Sequence, residues 1–413
     1  MVSRDIVVIG AGVVGLSVAL ALKARGRDVT VLDKTGPGAG ASAGNAGAFA
    51  FSEIIPLATP GIMRKAPKWL LDPLGPLSVP PRYALKIAPW LLRFWRASWP
   101  DRYAAAVKAQ SALMRVSQEA LERQIADYGL EELIRREGQL QLYEGAREFE
   151  ASLPGWRLRE EAGIAFEHLE GPEAIARVQK GIAPRFTHAG YTPGWFNVTD
   201  PMVWTRTLAE RFKERGGAVE TAEVRGIAAR DGAVSIETGD GEILAGHVVV
   251  SAGAWSRRLT RQLGHDVPLE TERGYNTTLP AGAFPLETHL TFGGHGFVVS
   301  RIGEGVRVGG AVELGGLDLP PNFRRAEAML KKAARFLPGL KTGGGTQWMG
   351  FRPSMPDSLP VISPAPGVKG VTYAFGHGHL GLTQSAGTGE LVAGMVCGEA
   401  PGIDVAPFRA DRR

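Results

Sequence analysis

Gly10-Ala11-Gly12-Val13-Val14-Gly15 places three glycines where a backbone must come close to something bound. A turn of this kind at the start of a helix presents unpaired N–H groups and a positive dipole end, which together hold a pyrophosphate. Asp33 follows at the spacing that sets a carboxylate beside an adenosine ribose. Further along, Arg352 sits in the rigid, partly apolar frame Gly350-Phe351-Arg352-Pro353. Its planar fork suits a substrate carboxylate, because it engages both oxygens and fixes the ligand's orientation. The alternative for Arg352 is a surface arginine; for the glycines it is a structural turn.

The flanking elements favour the chemical reading of the glycines. Ile6-Val7-Val8-Ile9 is an apolar run suited to a parallel strand buried on both faces. Leu16, Ala19, Leu20 and Lys23 recur at helical spacing, Gly26 stops the helix, and Asp28 to Asp33 reads as a second strand. The unit is therefore β-turn-α-β, with Ala19 permitting close packing of helix on sheet. The motif alone does not separate FAD from a nicotinamide. Lys34 and the small-residue stretch Gly36 to Gly47, which includes Ala41, Ser42, Asn45, Ala46 and Gly47, form a loop too long for an ordinary strand-to-helix connection. Backbone N–H groups in such a loop can wrap an isoalloxazine and its ribityl chain. The apolar exit through Ala48, Phe49 and Ala50 argues against a surface linker.

With 413 residues, 47 basic against 42 acidic side chains and 44% hydrophobic residues, the chain is globular and long enough for two to three lobes. One cysteine, Cys397, excludes an internal disulfide and a cysteine-based metal or iron–sulfur site from this chain alone, and suits a reducing compartment. Ile6 to Leu22 is broken early by glycine, so neither a signal peptide nor a membrane span is expected, and the chain is read as soluble or peripheral. His377 and His379 lack nearby carboxylate or thiol partners, so they are read as a cofactor and substrate wall, with no metal expected.

Composition shifts between Pro60 and Pro100, which hold eight of the 28 prolines and four of the nine tryptophans, Trp69, Trp90, Trp95 and Trp99. Seven basic residues, Arg64, Lys65, Lys68, Arg82, Lys86, Arg93 and Arg96, face Asp72 alone. Tryptophan mixed with cations on short proline-broken helices resembles an interfacial membrane anchor, and a lid packed on the substrate lobe is the competing reading. No nucleic-acid motif accompanies the patch, so no nucleic-acid partner is expected. An amphipathic helix is expected over Tyr103 to Tyr128, and a β-meander over Val219 to Val250 with turns at Asp231-Gly232 and Asp240-Gly241. The meander ends in Val248-Val249-Val250-Ser251-Ala252-Gly253-Ala254-Trp255, a buried strand whose exit turn belongs beside a cofactor. Gly376 to Gly381 leads into a helix through Cys397, whose positive end could stabilise charge developing at flavin N1 and O2.

Taken in order, the dinucleotide unit, the 248–255 stretch, Gly350-Phe351-Arg352-Pro353 with Pro356-Asp357, and Gly376-His377-Gly378-His379-Leu380-Gly381 resemble the D-amino-acid oxidase and glycine oxidase superfamily, most closely its bacterial D-amino-acid dehydrogenase branch. The resemblance spans nearly the whole chain, including the tryptophan-rich insertion. It implies an α/β fold with an α+β substrate lobe: a doubly wound, Rossmann-type FAD-binding domain from 1–52, 200–258 and 350–413, and a discontinuous antiparallel-sheet substrate domain from 53–199 and 259–349. It implies FAD contacts from Gly10, Gly12, Val13, Val14, Gly15, Asp33 and Lys34, from the loop residues Ala41, Ser42, Asn45, Ala46 and Gly47, and from Val224, Ala252, Gly253, Trp255 and Gly350. Gly378, His379, Leu380, Gly381, Leu382 and Thr383 complete that set.

Catalytic roles are expected for Arg352, Tyr275 and His379, with Tyr191 and Trp195 as further wall candidates. The resemblance suggests that the amine is bound neutral and that hydride passes from Cα to flavin N5, with hydrolysis of the imine and no side-chain base. Relatives with covalent flavin use a cysteine near the Arg-Pro motif; Met355 occupies that neighbourhood here, so non-covalent FAD is expected. Three functions remain in view. One is a D-amino-acid dehydrogenase for D-proline-like or small neutral substrates, passing electrons to a quinone or other respiratory acceptor from the cytoplasm or the inner face of the membrane. The second is a glycine or sarcosine-type oxidase that makes peroxide, and the third an interaction protein with a structural flavin.

Overall fold

The computed structural model describes residues 2–62, 75 and 77–412. Its first sheet is centred on Val2–Ile9, which pairs in parallel with Val29–Asp33 on one side and with Gly241–Val250 on the other. Ile6, Val7 and Val8 are wholly buried because helices cover one face of the sheet and an apolar cluster the other. Ala218–Thr221 extends the edge in parallel with Val29–Asp33. Val224–Arg230, Ala233–Thr238 and Gly241–Val250 form the expected antiparallel meander, and Val371–Phe375 aligns in parallel with its last three residues.

Among the described residues the second sheet has nine strands. Thr346–Ser354, Glu270–Leu279, Gly305–Glu313, Phe297–Ile302 and His289–Phe292 run antiparallel in that order. Gln139–Tyr143 then joins His289–Phe292 in parallel, and the short Leu77–Ser78 lies on Gly305–Glu313. The helix Arg324–Phe336 packs on this sheet through Ala326, Met329, Ala333 and Phe336. A doubly wound cofactor sheet beside a mainly antiparallel one is the expected fold class.

Two segments sit differently from the expected division. Thr346–Ser354 belongs wholly to the second sheet, so a boundary at 349/350 cuts a strand. The long helix Pro100–Tyr128 packs on the last helix, Gly381–Cys397, in the core of the first lobe. Gly387 makes this contact: a Cβ there would meet the Ser117 backbone at 2.7 Å.

Within the insertion, the helix Ala84–Ala97 buries Ile87 and Trp90 against Leu314. Its outer side exposes Leu85 by 92%, Leu92 by 63% and Trp95 by 46%, and Trp99, just past its end, is 43% exposed. One tryptophan thus packs as a lid would, and two face solvent. Arg64, Lys65, Lys68, Trp69 and Asp72 lie outside the described residues. Among the described residues, no helix is long and apolar enough to cross a membrane.

Candidate active site

Residues of both sheets line one cavity of about 1690 Å³. At one end the glycine turn opens onto it. Gly10 has φ +111°, and a Cβ there would lie 2.4 Å from the Ser251 carbonyl oxygen, so only glycine lets the turn rest on the exit of the neighbouring strand. Gly12, Val13 and Val14 line the cavity, whereas Gly15 lies behind them, packed on the Gly10 carbonyl. The helix Val13–Ala24 has no acidic residue in its first turn, and its Val13 N–H donates to Ser42 Oγ at 3.0 Å. Asp33 ties this end together: Oδ2 accepts from the Ala11 N–H at 2.9 Å, and Oδ1 accepts from the Thr35 and Gly36 N–H groups. Beyond it, the Lys34 ammonium stands 4.1 Å from the Trp255 ring centroid, with Val224, Ala252 and Gly253 alongside.

The small-residue loop forms the middle of the wall through Ala41, Ser42, Asn45 and Ala46. Gly47 does not reach the cavity. It turns the chain away at φ +71°, and its N–H donates to Asn45 Oδ1. The second sheet holds the loop from the far side, where Asn276 Nδ2 donates to the Gly44 carbonyl at 2.8 Å and Arg307 Nη1 to the Asn45 carbonyl at 2.5 Å. Burial lowers the pKa of Arg307 from the ordinary arginine value. Asn276 and Arg307 were not anticipated from the sequence, nor was Trp348. The indole lies so close to Gly44 and Gly350 that a Cβ would stand 2.3 Å from it at the first and 1.9 Å at the second.

At the other end, Arg352 lines the cavity with its guanidinium laid over Gly274. It donates to the Ala311 carbonyl at 3.1 Å and the Gly310 carbonyl at 3.5 Å, and burial lowers its pKa. Ala311 has φ +53°, a strained setting for a residue with a Cβ, and its carbonyl is one of those that orient the fork. Strand register fixes which neighbours share this face. Glu272, Gly274 and Asn276 pair directly with Arg352, Gly350 and Trp348, whereas Tyr275 pairs with Met349.

Tyr275 is among the residues that line the cavity, and its hydroxyl is engaged on the side of the second core. It is 1% exposed in the core of the second lobe, its hydroxyl donates to Glu313, and it accepts from the Asn322 N–H at 3.0 Å. Its ring packs in the second core, edge-on to Phe323 with centroids 6.1 Å apart.

The last helix starts at the cavity wall. Gly378, His379, Leu380, Gly381 and Leu382 line it, and His379 projects into it. Thr383 does not: its hydroxyl accepts from the Ala50 N–H at 3.0 Å and donates to the Ala48 carbonyl, fastening the exit of the small-residue loop. Enclosure by protein lowers the His379 pKa to about 4, against a smaller opposing pull from Glu53. His377 bonds Thr388 at 2.9 Å, and burial lowers its pKa to about 3. Trp195 also lines the cavity, with Nε1 donating to Ser52, and its ring centroid lies 5.0 Å from that of His289. Tyr191 is half-buried and packs on the second core. Cys397 is absent from the wall; it lies at the end of the last helix, near Arg27.

These residues fit FAD. An acid-free helix start faces a glycine cradle that a Cβ would fill, a carboxylate lies at the end of the second strand, and a cavity continues from there to Arg352. The profile of the family described as FAD dependent oxidoreductase (DAO) matches residues 5–395. The D-amino-acid oxidase of Bradyrhizobium diazoefficiens is 36% identical over 99% of either chain. The D-amino acid dehydrogenase of Chromohalobacter salexigens is 31% identical over 97% of each. Glycine oxidase from Geobacillus kaustophilus, at 22% identity, shares the fold over 100% of both chains with a TM-score of 0.77. The chain belongs to the DAO family of FAD-dependent oxidoreductases.

Proposed function

We propose that the protein is a dehydrogenase that oxidises D-amino acids, small neutral or proline-like ones favoured, to the imine and then the 2-oxo acid. The observation that carries this reading is Arg352, a half-buried fork on the wall of a cavity that begins at a glycine cradle. FAD, held non-covalently, supplies the acceptor for the Cα hydride. Arg352 binds the substrate carboxylate, His379 and Trp348 wall the pocket, and the enclosing sheets exclude water, so orientation supplies much of the rate gain. The names of the relatives support D-amino acids as the substrate class.

We infer a quinone as the electron acceptor and a peripheral contact with the inner face of the cytoplasmic membrane. Leu85, Leu92, Trp95 and Trp99 form an exposed stripe beside Lys86 and Arg93, chemistry that suits an anionic bilayer. The relative named as an oxidase favours a second reading, with oxygen as acceptor and peroxide as product. Anaerobic mixing with a panel of D- and L-amino acids should bleach the flavin with D-amino acids. No bleaching by any of them overturns the reading. Turnover with oxygen against a quinone analogue, paired with co-sedimentation on anionic vesicles at low and high salt, separates the acceptors. Stoichiometric peroxide without vesicle binding selects the oxidase.

A further inference from the structure

The second sheet carries two glutamate–arginine pairs, one on each face, and they are built differently. On the core face Glu313 is committed: it accepts from Tyr275 Oη and lies 3.5 Å from Arg273 Nη1, whose guanidinium also donates to the Gly316, Leu319 and Pro320 carbonyls. On the cavity face Glu272 stands directly opposite Arg352 in register, is 4% exposed, and lines the cavity. Here Arg352 gives its N–H groups to the Ala311 and Gly310 carbonyls, and the Ser354 hydroxyl is the side-chain donor that bears on Glu272. A buried carboxylate costs free energy unless donors meet it.

An α-amino acid supplies those donors. Its carboxylate and ammonium hang from one Cα, roughly 3 Å apart by standard bond lengths. Directly opposed side chains on a sheet have Cβ atoms about 4.5 to 5.5 Å apart, within reach of both groups of one ligand. We propose that Glu272 is the amine-recognition residue of the pocket: with Arg352 on the substrate carboxylate, Glu272 accepts hydrogen bonds from the ammonium and takes one of its protons. An N–H bond breaks, an O–H bond forms on the glutamate, and the electron pair stays on nitrogen, where it assists departure of the Cα hydride. The proton leaves to solvent after product release.

The surroundings favour this role. Burial raises the Glu272 pKa, and Arg352 and the Ser354 hydroxyl pull against it, which makes it a better proton acceptor than a surface carboxylate. The other titratable groups nearby are engaged or neutral. Glu270 accepts from Tyr83 Oη at 2.9 Å, Glu53 is held by Arg159 at 3.1 Å, His377 bonds Thr388, and His379 is neutral above about pH 4.

The inference rests on the amino-acid reading, and the test keeps the two apart. FAD-loaded wild type, Glu272→Gln and Glu272→Asp are titrated with 2-aminoisobutyrate, which has no Cα hydrogen to lose, and with isobutyrate, the same skeleton without the amine. Flavin absorbance reports binding. Glu272→Gln should weaken 2-aminoisobutyrate by about 10- to 100-fold, the range for a hydrogen bond to a charged group, and leave isobutyrate unchanged or tighter. Glu272→Asp should fall between, and it carries the test if the glutamine variant fails to hold FAD. In anaerobic reduction, Glu272→Gln should depend tenfold per pH unit up to the substrate amine's own pKa, where wild type levels off earlier. Equal effects on the two ligands, or an unchanged pH profile, overturn the proposal. If no amino acid reduces wild-type flavin, the amino-acid reading itself has failed.

Discussion

Gly274 carries the Arg352 guanidinium on its bare Cα: a Cβ there would stand 2.3 Å from Nη2 and 2.4 Å from Cζ. The fork lies flat on the strand because residue 274 has no side chain. Gly274→Ala should displace Arg352 at an overpacking cost of about 1 to 3 kcal/mol. We expect retained FAD with flavin reduction slowed at least tenfold at subsaturating amino acid. Unchanged reduction kinetics would mean that the fork has room to move without loss.

Arg352→Ala should nearly abolish flavin reduction and leave FAD bound. Truncating one partner of a desolvated charge pair costs on the order of 2 to 5 kcal/mol. Arg352→Lys should recover little, because an ammonium does not reproduce two parallel N–H donors. Stopped-flow reduction of both variants checks this, and a weak effect removes Arg352 from the site.

Asp33 accepts backbone N–H bonds from Ala11, Thr35 and Gly36, so its loss should loosen both turns as well as remove the proposed ribose partner. Asp33→Ala should weaken FAD by about 1.5 to 3 kcal/mol, the range for charge-assisted hydrogen bonds, as measured by titration of the apoprotein. Acid precipitation of wild type should leave yellow FAD in the supernatant, since Cys397 does not reach the cavity wall. Flavin in the pellet would mean a covalent link through another residue.

The cofactor end was legible because its determinants are local. Gly10 to Gly15 and Asp33 lie within one β-turn-α-β unit, and spacing alone sets their relation. Arg352 was legible from its Gly-Phe-Arg-Pro frame. Tyr275 lies on the cavity lining, but the partner that engages its hydroxyl, Glu313, is 38 residues on and no local pattern marks it. Thr383 is expected at the cofactor from the resemblance; the helix turns its hydroxyl onto Ala48 and Ala50, partners far away in sequence. Asn276, Arg307 and Trp348 reach the small-residue loop only once the second sheet stands against the first, and no local pattern marks them. The lobe to which Pro100–Tyr128 belongs depends in the same way on the contact of Ser117 with Gly387.

His289 gives the protein a defined acid sensitivity. It is 2% exposed, lies against Trp195 on the cavity wall, and burial lowers its pKa to about 3. An unfolded histidine titrates near about 6.5, so below that pH the unfolded chain binds a proton that the native fold refuses. The stability held by the neutral ring is therefore fully present above about pH 6.5. It falls as the pH drops toward 3, with a slope approaching about 1.4 kcal/mol per pH unit for this one group. His289→Phe keeps an aromatic ring against Trp195 and has nothing to protonate. Urea unfolding at pH 7 and pH 5 should show a smaller loss of stability between the two pH values in the variant than in wild type. Parallel losses would mean that His289 accepts its proton without unfolding, through an opening of the wall at Trp195.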